Sequence, residues 1–281
     1  MSSEIAGLDC GTDLIKAVWR AAGSYCFMSS RDNETALIFA AMKASGVKRA
    51  RRVGFVHPIL PPRVGLELIE AEQDNAIIDL VKLEMAGARF LAQGEGIELG
   101  GGHYLASVGT AVSYGLHMPD GTVEKVPFGH AFGGRFVTGL ANLLDIDRPA
   151  LFSDLPKSGY PPALLVRDVL PQLGGGWLGD MVMSHFGVAE PDTPPADACA
   201  GLFDVVAGET AFHLLRVVVG AHPDRRFKEV IATGTLTRLP FFRERLQHHF
   251  RKYGFEAYLL KLGEYAAAMG AYLDLLTAER G

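Results

Sequence analysis

Asp9, Gly11, Thr12 and Lys16 fall together in "IAGLDCGTDLIKAVW", Ile5 to Trp19, where an apolar run meets an acid, turns, and leaves as an alternating segment. These residue types suit phosphate. A glycine lets the backbone turn sharply, so that the amides of Gly11 and Thr12 can face outward. A carboxylate such as Asp9 can hold a hydrated magnesium ion, and Lys16 can neutralise a phosphate oxygen. The same stretch also reads as a plain hairpin whose acid is satisfied locally, and both readings stand at this point.

A second turn of the same kind lies in "HYLASVGTAVSYGLHMPDGTVEKVPFG", where Gly109-Thr110 follow Gly11-Thr12 by 98 residues. Two copies of strand, turn, strand, strand, helix predict two related lobes. A third stretch, "IATGTLTRLPFF", breaks a buried strand at Gly234-Thr235 and passes into a helix, leaving free amides at the carboxyl edge of a sheet, where nucleotides bind in open α/β folds. The final helix, "EYAAAMGAYLDLL", offers Ala266, Ala267, Ala268, Gly270 and Ala271 for the close approach of a second helix or of a ligand.

The elements that must position these turns follow from pattern. Strands are expected at Ile5 to Leu8, Leu14 to Arg20 and about Tyr25 to Met28, then a helix N-capped by Asn33, a short strand "RRVGFV", a Pro-rich break at "HPILPP" and a helix from about Asp74 to Leu91. In the second unit a helix runs from Phe136 to Leu144. An irregular insertion occupies about 145–200. The rest alternates: a long apolar helix from about Ala200 to Val219, the strand "EVIATG", a helix from Leu239 to Tyr253, the strand "EAYLL" and a helix from Glu264 to Leu276. Such alternation predicts an α/β fold with a largely parallel sheet. The expected division is an N-terminal lobe over 1–100 and a C-terminal lobe over 101–281.

Composition excludes several classes. With 281 residues, 48% hydrophobic and 21% charged, the chain has the make-up of a globular protein with a sizeable core. Its net charge of -5 gives no long-range attraction for nucleic acid. The basic run Lys48 to Arg52 is read as a solvated helix end. Cys10, Cys26 and Cys199 are widely spaced and odd in number, which suits neither a disulfide framework nor a zinc site. No charged start followed by an apolar stretch marks a secretory signal, and no apolar run reaches the roughly 18 residues of a membrane span, so the expected setting is cytoplasmic. His57, His103, His130 and the His248-His249 pair lack metal-ligand spacing and are read as structural or solvated.

The order "DCGTDLIK", "VGTAVSYGL", "ATGTLTRLP" and "GAYLDLL" resembles the phosphate and adenosine motifs of the actin, sugar-kinase and heat-shock ATPase superfamily, and more narrowly the type II pantothenate kinases. "LGDMVMSHFG" is similar to a Gly-Asp-Leu-x-x-x-x-Phe-Gly segment of the bacterial members. The resemblance implies a two-lobed actin-like fold and a homodimer, for which the helix from Ala200 to Val219 is a candidate. It implies ATP and Mg2+ as cofactors and phosphorylation of pantothenate or a related hydroxylated acid. By the same resemblance Glu70 in "LIEAEQD" is the general base, with Glu72 where the family has Asp. Asp9 is the magnesium ligand. Gly11, Thr12, Lys16, Gly109, Thr110, Gly234 and Thr235 contact phosphates and nucleoside, and Lys125 and Arg135 help hold an anionic acceptor.

The chain departs from the family at Ala111 and Val112, where a Gly and a hydroxyl are expected. It departs again in "KVPFGHAFGGRF", where bulk and charge enter a Gly-rich stretch and Lys125 replaces an Arg. Those departures imply a changed acceptor, or a weakened enzyme that binds nucleotide or a coenzyme A-like ligand in a regulatory role.

Overall fold

The structure is a computed structural model that describes residues 4–31, 34–54, 65–70, 76–126, 129–153, 155–174, 176, 178–220 and 227–280. The first sheet contains β1 (Ile5–Cys10), β2 (Leu14–Ala21), β3 (Ser24–Arg31), β4 (Arg49–Gly54) and β5 (Glu67–Glu70), ordered β3-β2-β1-β4-β5. The second contains β6 (His103–Val108), β7 (Val112–His117), β8 (Val123–Lys125), β11 (Glu229–Thr233) and β12 (Glu256–Leu259), ordered β8-β7-β6-β11-β12. Each has a central strand with an antiparallel hairpin on one side and a parallel strand on the other. The duplication expected from the two Gly-Thr turns is therefore present in the folded chain.

β1 is buried almost throughout because both of its faces are covered. On one face α1 (Thr35–Ala44) packs Ile38, Phe39 and Met42 against Ala6, Leu8 and Cys10. On the other lies α8 (Ala266–Ala278), so close that a Cβ on Gly7 would fall 1.9 Å from the carbonyl oxygen of Ala268. α2 (Ala76–Gly94) crosses α8 with the two backbones in contact; a Cβ on Gly270 would lie 1.7 Å from the Leu83 carbonyl oxygen. The small residues of the last helix thus serve helix packing. A cluster including Ile5, Val18, Met85, Leu105, Ile231 and Met269 joins both sheets through these two helices.

The second lobe is built on α3 (Gly134–Leu143), α6 (Pro195–His213) and α7 (Pro240–Lys252), with Tyr104, Phe203, Phe242 and Phe250 at its centre. Between α3 and α6 come α4 (Arg148–Leu151), β9 (Leu164–Leu165), α5 (Val166–Val169) and β10 (Val182–Ser184), with β9 and β10 paired antiparallel.

Several expectations change. The apolar stretch from Ala200 to Val219 divides between α6 and a π-helix, Leu214–Val219; in α6, Cys199 to Gly208, Thr210 and Ala211 are covered within their own lobe. The length and apolarity of α6, which would let it cross a membrane, are those of a core helix. The run Lys48 to Arg52 is no helix end. It enters β4, where its charges are matched by acids of neighbouring elements: Lys48 by Glu4, Arg49 by Glu279, Arg51 by Asp274 and Arg52 by Glu70. The segment around Glu70 is edge strand β5. Of the two readings for His249, structural or solvated, the fold selects the structural one: it is buried with Nε2 2.9 Å from Asp204 Oδ1. Asn33 as an N-cap, the Pro-rich break with His57, Glu72, Asp74, and Pro127 with Phe128 lie outside the described residues.

Candidate functional site

The carboxyl ends of β1, β6 and β11 come together around the two turns. In the first, Asp9 stands opposite Lys16 across the β1–β2 ladder, and Lys16 Nζ donates to Asp9 Oδ2 at 2.9 Å. Lys16 is only 8% exposed. A lysine is tolerated there because its charge is paired. Burial pulls its pKa down, but the attraction and hydrogen bond of Asp9, with help from Glu84 and Glu264, leave it above the ordinary lysine value. The Gly11 amide is not free to face a ligand: it donates to the Leu14 carbonyl at 3.1 Å and closes the turn.

The second turn is closed in the same manner, with the Gly109 amide on the Ala111 carbonyl at 3.0 Å. The turns touch each other: the hydroxyls of Thr12 and Thr110 are 2.6 Å apart. A second bridge joins Asp13 Oδ1 to Arg135 Nη2 at 2.8 Å. Arg135 is placed by the start of α3, whose Gly134 amide donates to the Gly109 carbonyl at 2.7 Å. Gly133 allows that contact, since a Cβ there would sit 2.4 Å from the Thr110 carbonyl oxygen.

Behind each turn a glycine closes the adjacent parallel strand. Gly54 ends β4 and Gly234 follows β11; both have φ of +97, and an added Cβ would meet the Cys10 oxygen at 2.4 Å or the Val108 oxygen at 2.2 Å. Only glycine takes such a backbone beside a neighbouring carbonyl without strain. Thr235 follows Gly234 into a 3-10 turn, Thr235–Arg238, which leads to α7.

The structure adds two acids that the sequence reading left out. Glu84 reaches from α2 into the floor between the lobes and accepts a hydrogen bond from Thr233 Oγ1 at 2.7 Å and another from Ser107. Burial pushes its pKa up; the two hydrogen bonds and Lys16 oppose that rise and Asp9 adds to it. Glu264, just before α8, is also raised by burial, with Arg238 opposing at 3.2 Å. The available signal for Glu84 was a single acid inside the apolar stretch that carries Val81, Leu83, Met85 and Ala88, all buried.

The site therefore gathers Asp9, Lys16, Gly11, Thr12, Gly109, Thr110, Gly234, Thr235 and Arg135. Glu70 stands apart from them. The register Leu8, Arg52, Glu70 across β1, β4 and β5 puts it on the α1 face, whereas Asp9 aligns with Val53 on the other. Its carboxylate is 3.0 Å from Arg52 Nε. Lys125 sits on β8 opposite Gly115, on the sheet face touched by Val81 and Met85 of α2.

A magnesium ion fits this donor set in one way. Among the described residues no three metal-ligating side chains form a cage. The Asp9 carboxylate would be the protein ligand, with water and phosphate oxygens completing the shell, an arrangement usual for magnesium beside phosphates.

Solved structures share this architecture. The activator of the 2-hydroxyisocaproyl-CoA dehydratase from Clostridium difficile, with bound ADPNP, aligns at TM-score 0.62 and 14% identity over 100% of this chain and 97% of that chain. The Acidaminococcus fermentans (R)-2-hydroxyglutaryl-CoA dehydratase component A aligns at TM-score 0.62 and 18% identity over 99% of each. A ROK family glucokinase from Streptomyces griseus, in complex with glucose and AMPPNP, aligns at TM-score 0.48 and 15% identity over 99% of each. No family model and no curated protein matches the sequence. The chain has the two-lobed α/β fold of the actin-like ATPases.

Proposed function

We propose that the chain binds a magnesium nucleoside triphosphate across its two turns and transfers the γ-phosphoryl group to the hydroxyl of a small acid, with pantothenate the first acceptor to try. The observation that carries this reading is the 2.6 Å contact between Thr12 and Thr110, which brings duplicated Gly-Thr turns to one point above the Asp9–Lys16 pair. Phosphoryl transfer asks a protein mainly for positioning and for compensation of negative charge, and the paired turns supply the positioning. Thr12 and Thr110 would donate to phosphate oxygens, Lys16 would hold Asp9 in place, and Gly234-Thr235 would border the nucleoside. A magnesium ion held by the Asp9 carboxylate would supply neutralisation of the phosphate charge. Glu70, the base that the family resemblance implies, lies on the α1 face, so this role requires its carboxylate to leave Arg52 and pass the end of β5 to the face of Asp9 when the acceptor binds.

The test is ADP release from purified protein with magnesium-ATP and pantothenate. Pantothenate-dependent turnover that falls about 100-fold or more in Glu70→Gln supports the reading. No turnover with pantothenate, together with Glu70→Gln behaving like wild type on any acceptor that works, would sink it.

One observation favours a second reading. Glu70 is held by Arg52 on the face opposite Asp9, which leaves water as the natural phosphoryl acceptor and makes the chain a nucleotide-driven regulatory protein. ADP release that no acceptor accelerates would select it.

A further inference from the structure

We infer that Arg135 is a donor-side catalytic residue: it grips the γ-phosphate of the bound nucleotide, and Asp13 holds its place between turnovers. This deepens the nucleotide reading above and rests on it, and it moves Arg135 from the acceptor, where the family resemblance put it, to the donor.

The argument starts from where Arg135 is anchored. Its backbone amide points at the Thr110 carbonyl, 3.4 Å away, and the preceding Gly134 amide is bonded to Gly109, so the residue is fixed to the second turn. Its guanidinium does not turn toward its own lobe. It crosses to the first turn and meets Asp13, next to Thr12. Arg135 therefore spans the space that the two turns enclose, and the ligand already on it is an anion.

The charges nearby show why a second cation is needed there. Lys16 is buried and committed to Asp9. Ala111 and Val112 add no side-chain donor to the neutral Thr110 hydroxyl of the second turn. Arg135, with 58% of its side chain exposed, is the cation that can leave its partner. An exposed arginine–carboxylate pair shifts an equilibrium by only a few-fold, whereas a phosphate oxygen pair accepts the guanidinium fork in bidentate fashion and carries more charge. The exchange of Asp13 for a terminal phosphate is thus favourable. Each proton stays where it was, and no bond of the protein is made or broken. Because the same arginine ties the lobes before and after the exchange, it also links occupancy to the meeting of the turns.

The prediction separates ATP from ADP. Calorimetric titration of full-length wild type, Arg135→Gln, Arg135→Lys and Asp13→Asn with magnesium-ATP and with magnesium-ADP gives eight affinities. Arg135→Gln is expected to weaken ATP about 10- to 100-fold, with ADP changed less than about threefold. Arg135→Lys should recover part of that loss, and Asp13→Asn should tighten ATP a few-fold by freeing the guanidinium. A merely structural role would move both nucleotides together. Equal losses for ATP and ADP, or ATP binding unchanged in Arg135→Gln, would overturn the inference while leaving nucleotide binding intact. Wild type binding neither nucleotide would overturn both.

Discussion

The two turns share a frame and differ in charge. The first joins Cys10 to Ile15 through Gly11 to Leu14, and the second joins Val108 to Val112 through Gly109 to Ala111, one residue shorter. Next to the first, the opposed pair is Asp9 and Lys16; next to the second it is Ser107 and Ser113. The charge absent from the second turn arrives from helices, as Glu84 of α2 bonded to Ser107 and Arg135 of α3 beside Thr110. A duplicated scaffold thus fixes where a turn sits, while one or two residues decide what the turn can hold.

That contrast can be broken most forcefully at the charged pair. Asp9→Ala leaves Lys16 buried without its partner and should cost about 3 to 5 kcal/mol, whereas Ser107→Ala should cost about 1 kcal/mol. Urea midpoints measured at constant m read both, and equal losses would erase the difference between the turns.

The strands behind the turns differ as well. β1 begins with Ile5 and β6 with His103, which is buried and stacked on His117 with ring centroids 4.7 Å apart. Burial, with His117 and Arg89 adding repulsion, lowers the His103 pKa to about 4. Because the unfolded chain takes up that proton near pH 6.5 and the folded chain does not, stability is full above 6.5 and is lost as pH falls toward 4, by about 3 kcal/mol. Glu84 has the opposite sign: its raised folded pKa stabilises below the ordinary carboxylate value and loses that contribution as pH rises. Denaturation from pH 4 to 7 should show a flatter acid side in His103→Phe and a flatter upper side in Glu84→Gln. An unchanged profile in either variant would assign the pH dependence elsewhere.

Where the lobes are alike, mutations should be alike. Gly54→Ala and Gly234→Ala each place a Cβ against a carbonyl at φ of +97 and should each cost about 2 kcal/mol. The smallest effect is the contact between the turns. A double-mutant cycle of Thr12→Val and Thr110→Val should return a coupling of about 1 kcal/mol, and zero coupling would mean that the turns do not hold each other in solution.

Much of this frame was legible in the residues. Gly-Thr at two places, each between apolar strands, was enough to foresee the duplication, and "IATG" ending in Gly234 was enough to place a strand end at the carboxyl edge of the second sheet. Local pattern failed where a distant partner decides the outcome. Lys48 to Arg52 is too basic for a strand between two others until Glu4, Glu279, Asp274 and Glu70 are seen to match it. His249 reads as structural or solvated until Asp204, 45 residues earlier, is found against it. For Glu84 a lone acid in an apolar stretch was the only local signal, since its partners Ser107 and Thr233 belong to the other lobe. The burial of α6 follows from packing on every side, which no single stripe of residues announces.

The central claim is that nucleotide phosphates sit between the two turns. A crystal structure of the chain with magnesium and a non-hydrolysable ATP analogue tests it most directly. The account predicts phosphate oxygens within hydrogen-bond reach of Thr12 and Thr110, the metal beside Asp9, and Arg135 withdrawn from Asp13 onto the terminal phosphate. A nucleotide bound elsewhere, with the Thr12–Thr110 and Asp13–Arg135 contacts unaltered, would contradict it.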